Sequence, residues 1–491
     1  MAADKQIIVA IELGSTKIVG LAGQMMLDGS MSILAVAREE ASQCMRKGVV
    51  YNIDKTALCL SSIIKKLEAQ LKMRIVHVFV GLAGQSMRSI LNNIKVDLPD
   101  NTIITQETIT ELMDSNWTTE YPDRKILEVI EQEYLVDTTQ QNDPVGIRAS
   151  HLEGNFLNIV SRRSFYQNLT KTLETAGIKN FVTFLTPLTL ANVVLTESER
   201  RSGCVLVDLG ADTTTVSVYY KNKLRHLAVI PVGQSNITHD IASLQMEESE
   251  AEAMKLQYAS AYTESRDIDT ELKYPINRER SVDSFRFIEI VEGRVTEIIK
   301  NVEAQIPSTY YNKLLGGLII TGGGANLKNI EKAFTEIMHV EKIRVAKFVN
   351  VTVNSSNEMI RTQNAMMNAC LGILSRGYIN CVGNNITTNP DLFSDSGAQT
   401  ASGKQTTGSQ QTSTKQSTDP GKVRTDEEEQ RAAEEARRRQ EEEDARKAAE
   451  EAEQRKQEEE EEEKNKKDDE NSFVNRMKTW FTNFVNAEEE K

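Results

Sequence analysis

Two stretches of the chain share one pattern of apolar and polar positions. Residues 8–20 read IVAIELGSTKIVG, and residues 204–218 read CVLVDLGADTTTVSV. When Glu12 is aligned with Asp208, the matching positions are offset by 196 residues. Each copy is an apolar strand, then an acid, Leu, Gly, small polar residues and a second strand, which is the signature of a β-hairpin with glycine in its turn. Two such hairpins predict two similar α/β lobes.

A third glycine signal lies at residues 316–334, which read GGLIITGGGANLKNIEKAF. This pattern predicts a strand, a run of three glycines and then an amphipathic helix. Glycine allows backbone to approach a ligand closely, and a helix N-terminus favours negative charge. The stretch is therefore a candidate ligand contact.

The last segment of the chain, residues 472–487, predicts an amphipathic helix. Its apolar stripe has helical spacing and contains Phe473, Met477, Trp480, Phe481 and Phe484. Ser472 is a candidate N-cap, and Arg476 and Lys478 lie on the polar side. Because a long linker separates the stripe from the folded body, we expect an external partner. A membrane interface is the favoured partner, and a protein groove or the chain's own body is the alternative.

The segment between body and helix is polar and then charged. Residues 384–421 are rich in Ser, Thr, Gly, Gln and Asn, so we expect a flexible linker. Residues 426–470 contain 22 acidic and 11 basic side chains, a net charge of -11 out of -14 for the whole chain. Opposite charges three or four residues apart favour a solvated helix, and the all-Ala apolar positions disfavour a coiled coil. A spacer and a solubilising tail both remain open.

Composition excludes several classes of function. The net charge of -14 argues against a nucleic-acid binder that uses bulk positive charge. The 5 cysteines show no CxxC pair, which disfavours a disulfide scaffold or a zinc site. No stretch is apolar enough for a membrane span, and the N-terminus does not resemble a signal peptide. HExxH, GxxxxGK[ST] and GxSxG motifs are absent from the sequence, and we expect no catalytic residues.

Two related hairpins followed by strand, triple glycine and helix resemble the actin/Hsp70/sugar-kinase ATPase superfamily. The resemblance implies a two-lobed fold that clasps ATP, with Glu12 and Asp208 organising Mg²⁺ through water. The residues that it implies for ATP binding are Gly14, Ser15, Thr16, Lys17, Asp208, Gly210, Ala211, Asp212, Thr213, Thr214, Gly233, Glu252, Lys255, Gly322, Gly323 and Gly324.

Within that superfamily the chain resembles the FtsA family of bacterial cell-division proteins. The stretches that carry this likeness are residues 125–160, residues 224–242 and the terminal helix. The family has an inserted subdomain, 1C, in its first lobe, and strand-like IKVDL and helix-like TQETITELMDS are consistent with such a unit here. The implied division is subdomain 1A over 5–83, 164–201 and 351–383, 1C over 84–163, 2A over 202–235 and 304–350, 2B over 236–303, the linker over 384–471 and the membrane-targeting helix over 472–487.

Two departures from the family pattern affect the expected chemistry. The second loop reads DLGADT, so Asp212 brings a negative charge close to the phosphates. The position where hydrolytic members carry a water-orienting Gln or Glu is nearest to Thr186, which cannot act as a carboxylate base. We therefore expect ATP binding with weak or absent hydrolysis.

The FtsA resemblance implies a protein that polymerises at the cytoplasmic face of the inner membrane at the division site. It would anchor the FtsZ ring through the terminal helix and help to recruit later division proteins. Arg278, Arg280 and Arg286 are the candidate contacts for the FtsZ C-terminal tail. The alternatives are an ATP-hydrolysing kinase or chaperone of the same superfamily, and a PilM-like pilus-assembly adaptor.

Overall fold

The computed structural model describes residues 6–269 and 271–385, which contain helices and strands in an α/β arrangement. The strands are β1 Ile8–Leu13, β2 Lys17–Met25, β3 Met31–Glu40, β4 Met45–Arg46, β5 Val49–Val50, β6 Met73–Ile75, β7 Val78–Leu82, β8 Arg88–Ile103, β9 Arg124–Val136, β10 Thr139–Gln141, β11 Arg148–Arg162, β12 Phe181–Leu185, β13 Cys204–Leu209, β14 Thr214–Tyr220, β15 Lys223–Ile230, β16 Lys273–Pro275, β17 Ser281–Asp283, β18 Gly317–Thr321, β19 Ile343–Val345, β20 Val353–Asn354 and β21 Val382–Asn385. The helices are α1 Ile53–Leu71, α2 Gln106–Trp117, α3 Arg163–Thr175, α4 Thr186–Val194, α5 Glu197–Ser202, α6 Gln234–Ala242, α7 Glu248–Tyr258, α8 Ser284–Ala304, α9 Ser308–Tyr311, α10 Ile330–Met338, α11 Glu358–Arg361 and α12 Asn368–Ser375.

The first lobe is built on a six-stranded sheet of order β12-β7-β1-β2-β3-β20. Helix α1 covers it because Leu60, Ile63 and Leu67 recur at helical spacing and are fully buried. Gly20 of β2 lies so close to this helix that a Cβ there would be 2.5 Å from Ile63. The helix is capped by Asn52, whose side chain accepts the Lys55 N–H.

A nine-stranded sheet of order β10-β9-β11-β8-β15-β14-β13-β18-β19 runs through the second lobe. Its hairpin β13–β14 is antiparallel, whereas β18 runs parallel to β13. Helix α8 packs against this lobe through Phe287, Val291 and Val295, which are buried and spaced four residues apart.

The strands β8, β9, β10 and β11, with helix α2, form an inserted unit with its own small core. Ile109, Leu112, Leu152 and Phe156 are buried together there. The predicted strand and helix are both present, but the strand IKVDL belongs to the 16-residue β8. Short-range alternation had marked only its centre, because the flanking residues are polar.

The inserted unit joins the second lobe at a narrow contact. Strand β8 pairs with β15 at a single residue pair, Arg88 with Ala228. Beside it, the Arg225 guanidinium donates to Glu133 Oε2 at 2.7 Å and to Gln132 Oε1 at 2.9 Å. Arg225 is 6% exposed and Glu133 is 14% exposed. A buried ion pair thus ties β9 of the inserted unit to β15.

We expect Arg225→Leu to lower the free energy of unfolding by about 3 kcal/mol, because it leaves Glu133 as an unpaired buried charge. Arg225 holds the pKa of Glu133 below its ordinary value. The pair therefore stabilises the fold at neutral pH, and this contribution is lost as the pH falls through the lowered pKa. Urea unfolding followed by circular dichroism at pH 7 and at about pH 3.5 measures both effects.

The matched control is Arg38→Leu, which removes an exposed pair with Glu40 (41% and 69% exposed) and should cost less than about 0.5 kcal/mol. The double variant Arg225→Leu/Glu133→Leu should recover most of the loss. Equal destabilisation by Arg225→Leu and Arg38→Leu would show that the buried ion pair contributes no more to the free energy of unfolding than the exposed one.

Candidate functional site

The two glycine hairpins have the same turn geometry, as the sequence pattern predicts. The Gly14 N–H donates to the Lys17 carbonyl at 3.0 Å, and the Gly210 N–H donates to the Thr213 carbonyl at 2.9 Å. These two pairs are related by the same offset of 196 residues. A Cβ on either glycine would lie 2.7 Å from the accepting carbonyl oxygen. Glycine is therefore required in both turns by close contact, and the prediction of two hairpins is confirmed.

Each hairpin carries one acid next to its turn, and the pKa values of both acids are raised. Burial raises the pKa of Glu12 to about 7 and that of Asp208 to about 6. At Glu12 the Lys17 ammonium opposes this rise, whereas the charge of Asp208 adds to it. The two carboxylates are thus close enough to repel each other.

Glu12 has an unused acceptor. The Cys370 N–H donates to its carboxylate, but Glu12 Oε2 is buried and has no hydrogen-bond partner among the described residues. Such an oxygen is costly unless a cation or a water reaches it. In the described part of the chain, groups of three or more His, Cys, Asp or Glu that could hold a metal are absent. A cation here would need further oxygen ligands from water or from a bound phosphate.

The first loop is held in place mainly by backbone contacts. Ser15 is buried, and its Oγ accepts the Gly48 N–H at 2.9 Å. The Thr16 carbonyl accepts the Ala41 N–H at 2.8 Å. Burial lowers the pKa of the Lys17 ammonium, and the neighbouring Glu12 carboxylate opposes that change. Lys17 thus provides positive charge beside the buried acid.

The second loop is anchored at both ends, and its aspartate makes a contact with the first lobe. Asp212 Oδ2 accepts the Lys47 N–H at 3.2 Å. The Ala211 carbonyl accepts the Ser235 N–H at 2.7 Å, and the Thr214 hydroxyl donates to the Val232 carbonyl at 2.9 Å.

The Thr213 hydroxyl of this loop differs from the Thr214 hydroxyl. It forms no hydrogen bond to any other residue that the structure describes. A donor that nothing else uses remains available for a ligand of the second loop.

The turn at Lys47–Gly48 is a site element that sequence reasoning missed. Both residues have positive φ, 49° and 73°, and the turn joins β4 to β5. Its two N–H groups donate to Asp212 and to Ser15, one in each loop. A glycine that follows Lys between two short apolar runs was the available hairpin signal. The turn therefore connects the two loops across the lobes.

The three glycines of the strand–glycine–helix motif have different surroundings. Gly322 has φ of +85°, and a Cβ there would be 2.3 Å from Asp208 Oδ1. A Cβ on Gly324 would be 2.7 Å from the Gln234 side chain, whereas Gly323 is exposed and unhindered. The predicted helix does not follow directly, since a 3₁₀ turn at Gly323–Asn326 precedes α10. Gly322 and Gly324 thus serve contact with the second hairpin and with the start of α6.

The other residues implied for ATP binding, Gly233, Glu252 and Lys255, lie on or next to two adjoining helices. Gly233 caps α6, and a Cβ there would be 2.4 Å from the Ala211 carbonyl oxygen, so its small size serves closure of the second loop. On α7, Lys255 is buried and donates to the Thr238 hydroxyl at 2.8 Å and to Glu252 at 2.6 Å. Thr238 in turn donates to Glu252 at 2.6 Å. These polar groups satisfy one another between α6 and α7.

The position nearest to a hydrolytic residue is enclosed. Thr186 begins α4 and is 4% exposed. Its hydroxyl packs against Gly81, where a Cβ would lie 2.6 Å from Thr186 Oγ1. This side chain is held by packing in the first lobe.

The three candidate partner-binding arginines are not equivalent. Arg280 forms a two-point ion pair with Glu250 at 2.7 and 2.8 Å. Arg278, in the turn between β16 and β17, and Arg286, in the first turn of α8, are exposed, and neither pairs with an acid in the part of the chain that the structure describes. Arg278 and Arg286 are therefore the two candidates whose positive charge remains free for an acidic partner.

The predicted terminal helix and linker, including Phe473, Arg476, Met477, Lys478, Trp480, Phe481 and Phe484, lie outside the described residues. Of the helices in residues 6–269 and 271–385, none has the length and apolar character needed to cross a membrane.

Comparison with known proteins gives consistent matches. The family model "Cell division protein FtsA" matches residues 205–372, and the model "SHS2 domain inserted in FTSA" matches residues 84–160. The FtsA of Porphyromonas gingivalis is 32% identical over 347 residues, which cover 68% of this chain and 71% of that protein. The FtsA of Pseudomonas aeruginosa is 27% identical over 379 residues, 76% of this chain and 89% of that protein.

A solved structure supports the same fold. The PilM-PilN type IV pilus biogenesis complex contains a chain with a TM-score of 0.52 and 15% identity, and the match covers 75% of this chain and 98% of that one. At this identity the likeness concerns the fold alone. Together with the family models, it confirms the predicted two-lobed actin-like fold with an inserted subdomain over the described residues.

We expect the nucleotide-free protein to lose stability as the pH rises from about 4 to about 7, since Glu12 and Asp208 hold protons in the folded state that the unfolded chain releases. Glu12→Gln should remove part of this slope and raise stability at pH 8 by on the order of 1–2 kcal/mol. Thermal unfolding at a series of pH values measures it. A Glu12→Gln profile parallel to the wild type would contradict the assignment of the slope to this carboxylate.

Proposed function

The chain belongs to the FtsA family of cell division proteins, and on this premise we propose that it is an ATP-binding adaptor at the division site. In this role it polymerises on the cytoplasmic face of the inner membrane and anchors the FtsZ ring. It also helps to recruit later division proteins. Neither an ATP-hydrolysing kinase or chaperone nor a PilM-like adaptor gains support from the curated relatives, which are FtsA proteins.

The observation that carries the nucleotide proposal is the pair of equivalent hairpins around the acids Glu12 and Asp208. Gly14 and Gly210 turn the backbone so that loop N–H groups and hydroxyls can surround phosphates. Lys17 supplies positive charge beside them. The remaining loop residues in this proposal are Ser15, Thr16, Ala211, Asp212, Thr213 and Thr214. Gly233 approaches the nucleotide, and the adenosine contacts are Glu252, Lys255, Gly322, Gly323 and Gly324.

The residues around the two acids fit a divalent cation. Glu12 Oε2 is a buried acceptor without a partner among the described residues, and Asp208 repels it. Mg²⁺ keeps several waters and binds through carboxylates together with substrate phosphates. Glu12 and Asp208 would hold it through water, where it would neutralise phosphate charge.

We infer that nucleotide acts mainly as a conformational ligand in this protein. Thr186 packs against Gly81 and offers no carboxylate base for water. Asp212 in the second loop is bonded to Lys47 of the first lobe. A phosphate placed in the second loop would repel Asp212, so that binding and the contact between the lobes are coupled.

The membrane and partner functions depend on two different segments of the chain. The apolar stripe of the terminal helix inserts its aromatic side chains at the lipid interface, with Arg476 and Lys478 near the headgroups. One short helix binds weakly, but many helices on one filament bind stably. Arg278 and Arg286 provide the exposed positive charge for the FtsZ tail, whereas Arg280 is held by Glu250.

Asp212→Asn tests the proposed phosphate position, because it removes a negative charge and keeps an amide oxygen for Lys47. We expect Mg-ATP to bind the intact chain about 5- to 10-fold more tightly, or about 1 kcal/mol. Isothermal titration calorimetry measures the dissociation constant, and Glu12→Gln should weaken the same binding.

Asp114→Asn is the charge-matched control, since Asp114 is an exposed residue of α2 in the inserted unit. It should leave ATP affinity unchanged. Identical affinities for the Asp212 and Asp114 variants would remove Asp212 from the phosphate site. Absence of ATP binding by the wild-type chain would refute the nucleotide proposal as a whole.

Sedimentation with anionic liposomes tests the membrane and partner proposals together. The intact chain should pellet with liposomes and carry purified FtsZ with it. Trp480→Glu/Phe481→Glu should leave more than about 90% of the chain in the supernatant, because two buried aromatics are replaced by charges. Arg286→Glu should still pellet but should leave FtsZ behind.

The control for the helix is Thr482→Glu/Asn483→Glu, which adds the same two charges on the polar side of the stripe. This variant should keep most of its liposome binding. Equal loss in the two double variants would mean that charge, and not the apolar stripe, governs binding. If the Trp480/Phe481 variant also loses ATP affinity, the helix docks on the body.

A further inference from the structure

Four arginines lie together at one end of the inserted unit, where β8 and β9 begin and β11 ends. Arg162 is directly opposite Arg124 across the β11–β9 pair, and Arg88 is opposite Val160, two residues from Arg162 on β11. Residues opposite each other, and residues two apart on a strand, share one face of a sheet, so Arg88, Arg124 and Arg162 lie on the same face. Arg163 follows Arg162 and donates to the Arg124 carbonyl at 3.3 Å. These four residues are called the arginine cluster below.

The charge of the arginine cluster is not neutralised within the part of the chain that the structure describes. None of the four guanidinium groups forms an ion pair there, and Arg124 donates only to the Ser86 carbonyl, at 3.0 Å. Arg88, Arg162 and Arg163 are exposed, whereas Arg124 is half-buried. Burial, followed by the charges of Arg88 and Arg162, lowers the pKa of the Arg124 guanidinium. The cluster therefore keeps like charges close together at a cost.

Helix α3 begins at the same place, and its first turn offers backbone donors. Its N-cap residue is Arg162, whose side chain does not cap the helix, and the first turn contains no acid. The Arg163 N–H donates to the Asp123 carbonyl at 3.2 Å, but the N–H groups of Ser164 and Phe165 have no acceptor among the described residues. The N-terminus of a helix carries a partial positive charge and binds anions through such groups. These N–H groups thus add to the positive charge of the arginine cluster.

The remainder of the same sheet is arranged differently. Farther along β8 and β11, Lys95 pairs with Glu153 at 2.7 Å, and His151 lies 2.7 Å from Asp97. Opposite charges across strands stabilise a sheet, and like charges directly opposite destabilise it. The two opposed arginines thus have a cost that a bound anion would offset.

We propose that the arginine cluster and the first turn of α3 together bind a phosphate group. Guanidinium groups recognise phosphate through paired, charge-assisted hydrogen bonds. The donors here come from three strands and from the start of a helix. A phosphate group offers up to three strong acceptor oxygens, whereas a carboxylate offers two. Phosphate can therefore use more of these donors than the carboxylate of an acidic peptide can.

Two sources present this chemistry, namely the phosphodiester headgroup of an anionic lipid and a soluble phosphate compound. The site contains no residue of the two glycine hairpins and none of the terminal helix. It therefore goes beyond the function proposed above, and its failure would leave the nucleotide and anchor proposals unchanged.

Binding of inorganic phosphate to the intact chain, measured by isothermal titration calorimetry at low salt, tests the first source. Arg162→Glu should weaken this binding about tenfold, because it removes a donor and adds a negative charge. The substitution also places an acid opposite Arg124, so the midpoint of thermal unfolding should not fall. Weaker binding without a loss of stability separates a role in binding from a role in folding.

Arg148→Glu is the matched control, because Arg148 is exposed at the opposite end of the same strand and donates to a single carbonyl, that of Asn101. It should leave phosphate binding unchanged. Phosphate that binds at the two glycine hairpins contributes equally in both variants, so the difference between the variants reports on the arginine cluster alone.

Ser164→Asp tests the contribution of the helix start. Ser164 is exposed, and its hydroxyl forms no hydrogen bond to the residues that the structure describes. An acid in the first turn favours the helix, so the midpoint of thermal unfolding should rise slightly, while the same charge should weaken phosphate binding about tenfold. Ser164→Asn adds no charge and should retain wild-type binding. Equal binding by the Asp and Asn variants would contradict the inclusion of α3 in the site.

Vesicles of phosphatidylglycerol distinguish the two sources. If Arg162→Glu weakens the sedimentation of the intact chain with these vesicles and Arg148→Glu does not, the ligand is a lipid headgroup. If only the binding of inorganic phosphate is weakened, the ligand is a soluble phosphate compound. The proposal is overturned if neither measurement separates Arg162→Glu from Arg148→Glu. It is also wrong if Arg162→Glu weakens only the binding of a hexaglutamate peptide, because the surface then belongs to an acidic protein segment.

Discussion

Two half-buried acids, Glu12 and Asp208, are the constraint on which this site depends, because desolvation raises both pKa values and the charge of Asp208 adds to the rise at Glu12. Glu12 and Asp208 have raised pKa values, and one oxygen of Glu12 has no partner among the described residues. Two groups limit the cost at Glu12: the Lys17 ammonium supplies positive charge, and the Cys370 N–H donates to the carboxylate. Gly322 allows a strand to pass beside Asp208. The architecture thus keeps two acids with raised pKa values next to the two turns, as the nucleotide and cation site proposed above requires.

Much of this arrangement could be predicted because its signals are local. The hairpins are short, each is signalled by acid, Leu and Gly, and the constant offset of 196 residues marks the two copies as related. The fold class followed from those hairpins and from the family resemblance. Helix α2 and strand β8 were visible from periodicity, although β8 is longer than its apolar centre.

The parts that could not be predicted depend on contacts between distant residues. The Lys47–Gly48 turn acts through backbone N–H groups, whose acceptors are 165 and 33 residues away in sequence. Triple glycine suggested ligand contact, but Gly322 and Gly324 are also required by packing against Asp208, Leu209 and Gln234. Hydrogen bonds from backbone N–H groups, and the close packing that requires glycine, cannot be read from the pattern of side chains in the sequence. The ion pair of Arg280 could not be predicted either, because its partner Glu250 is 30 residues away in sequence.

The single residue pair between β8 and β15 has a mechanical consequence. Strand β8 leaves the Arg88–Ala228 pair and continues for 16 residues, or about 50 Å at 3.3 Å per residue. A rotation of about 5° at that joint would move the far end of the strand by about 4 Å. A small rotation at this joint is therefore amplified along the inserted unit, and the Arg225–Glu133 ion pair is one of the contacts that resist it, beside the bond from the Gln132 side chain to the Leu224 carbonyl.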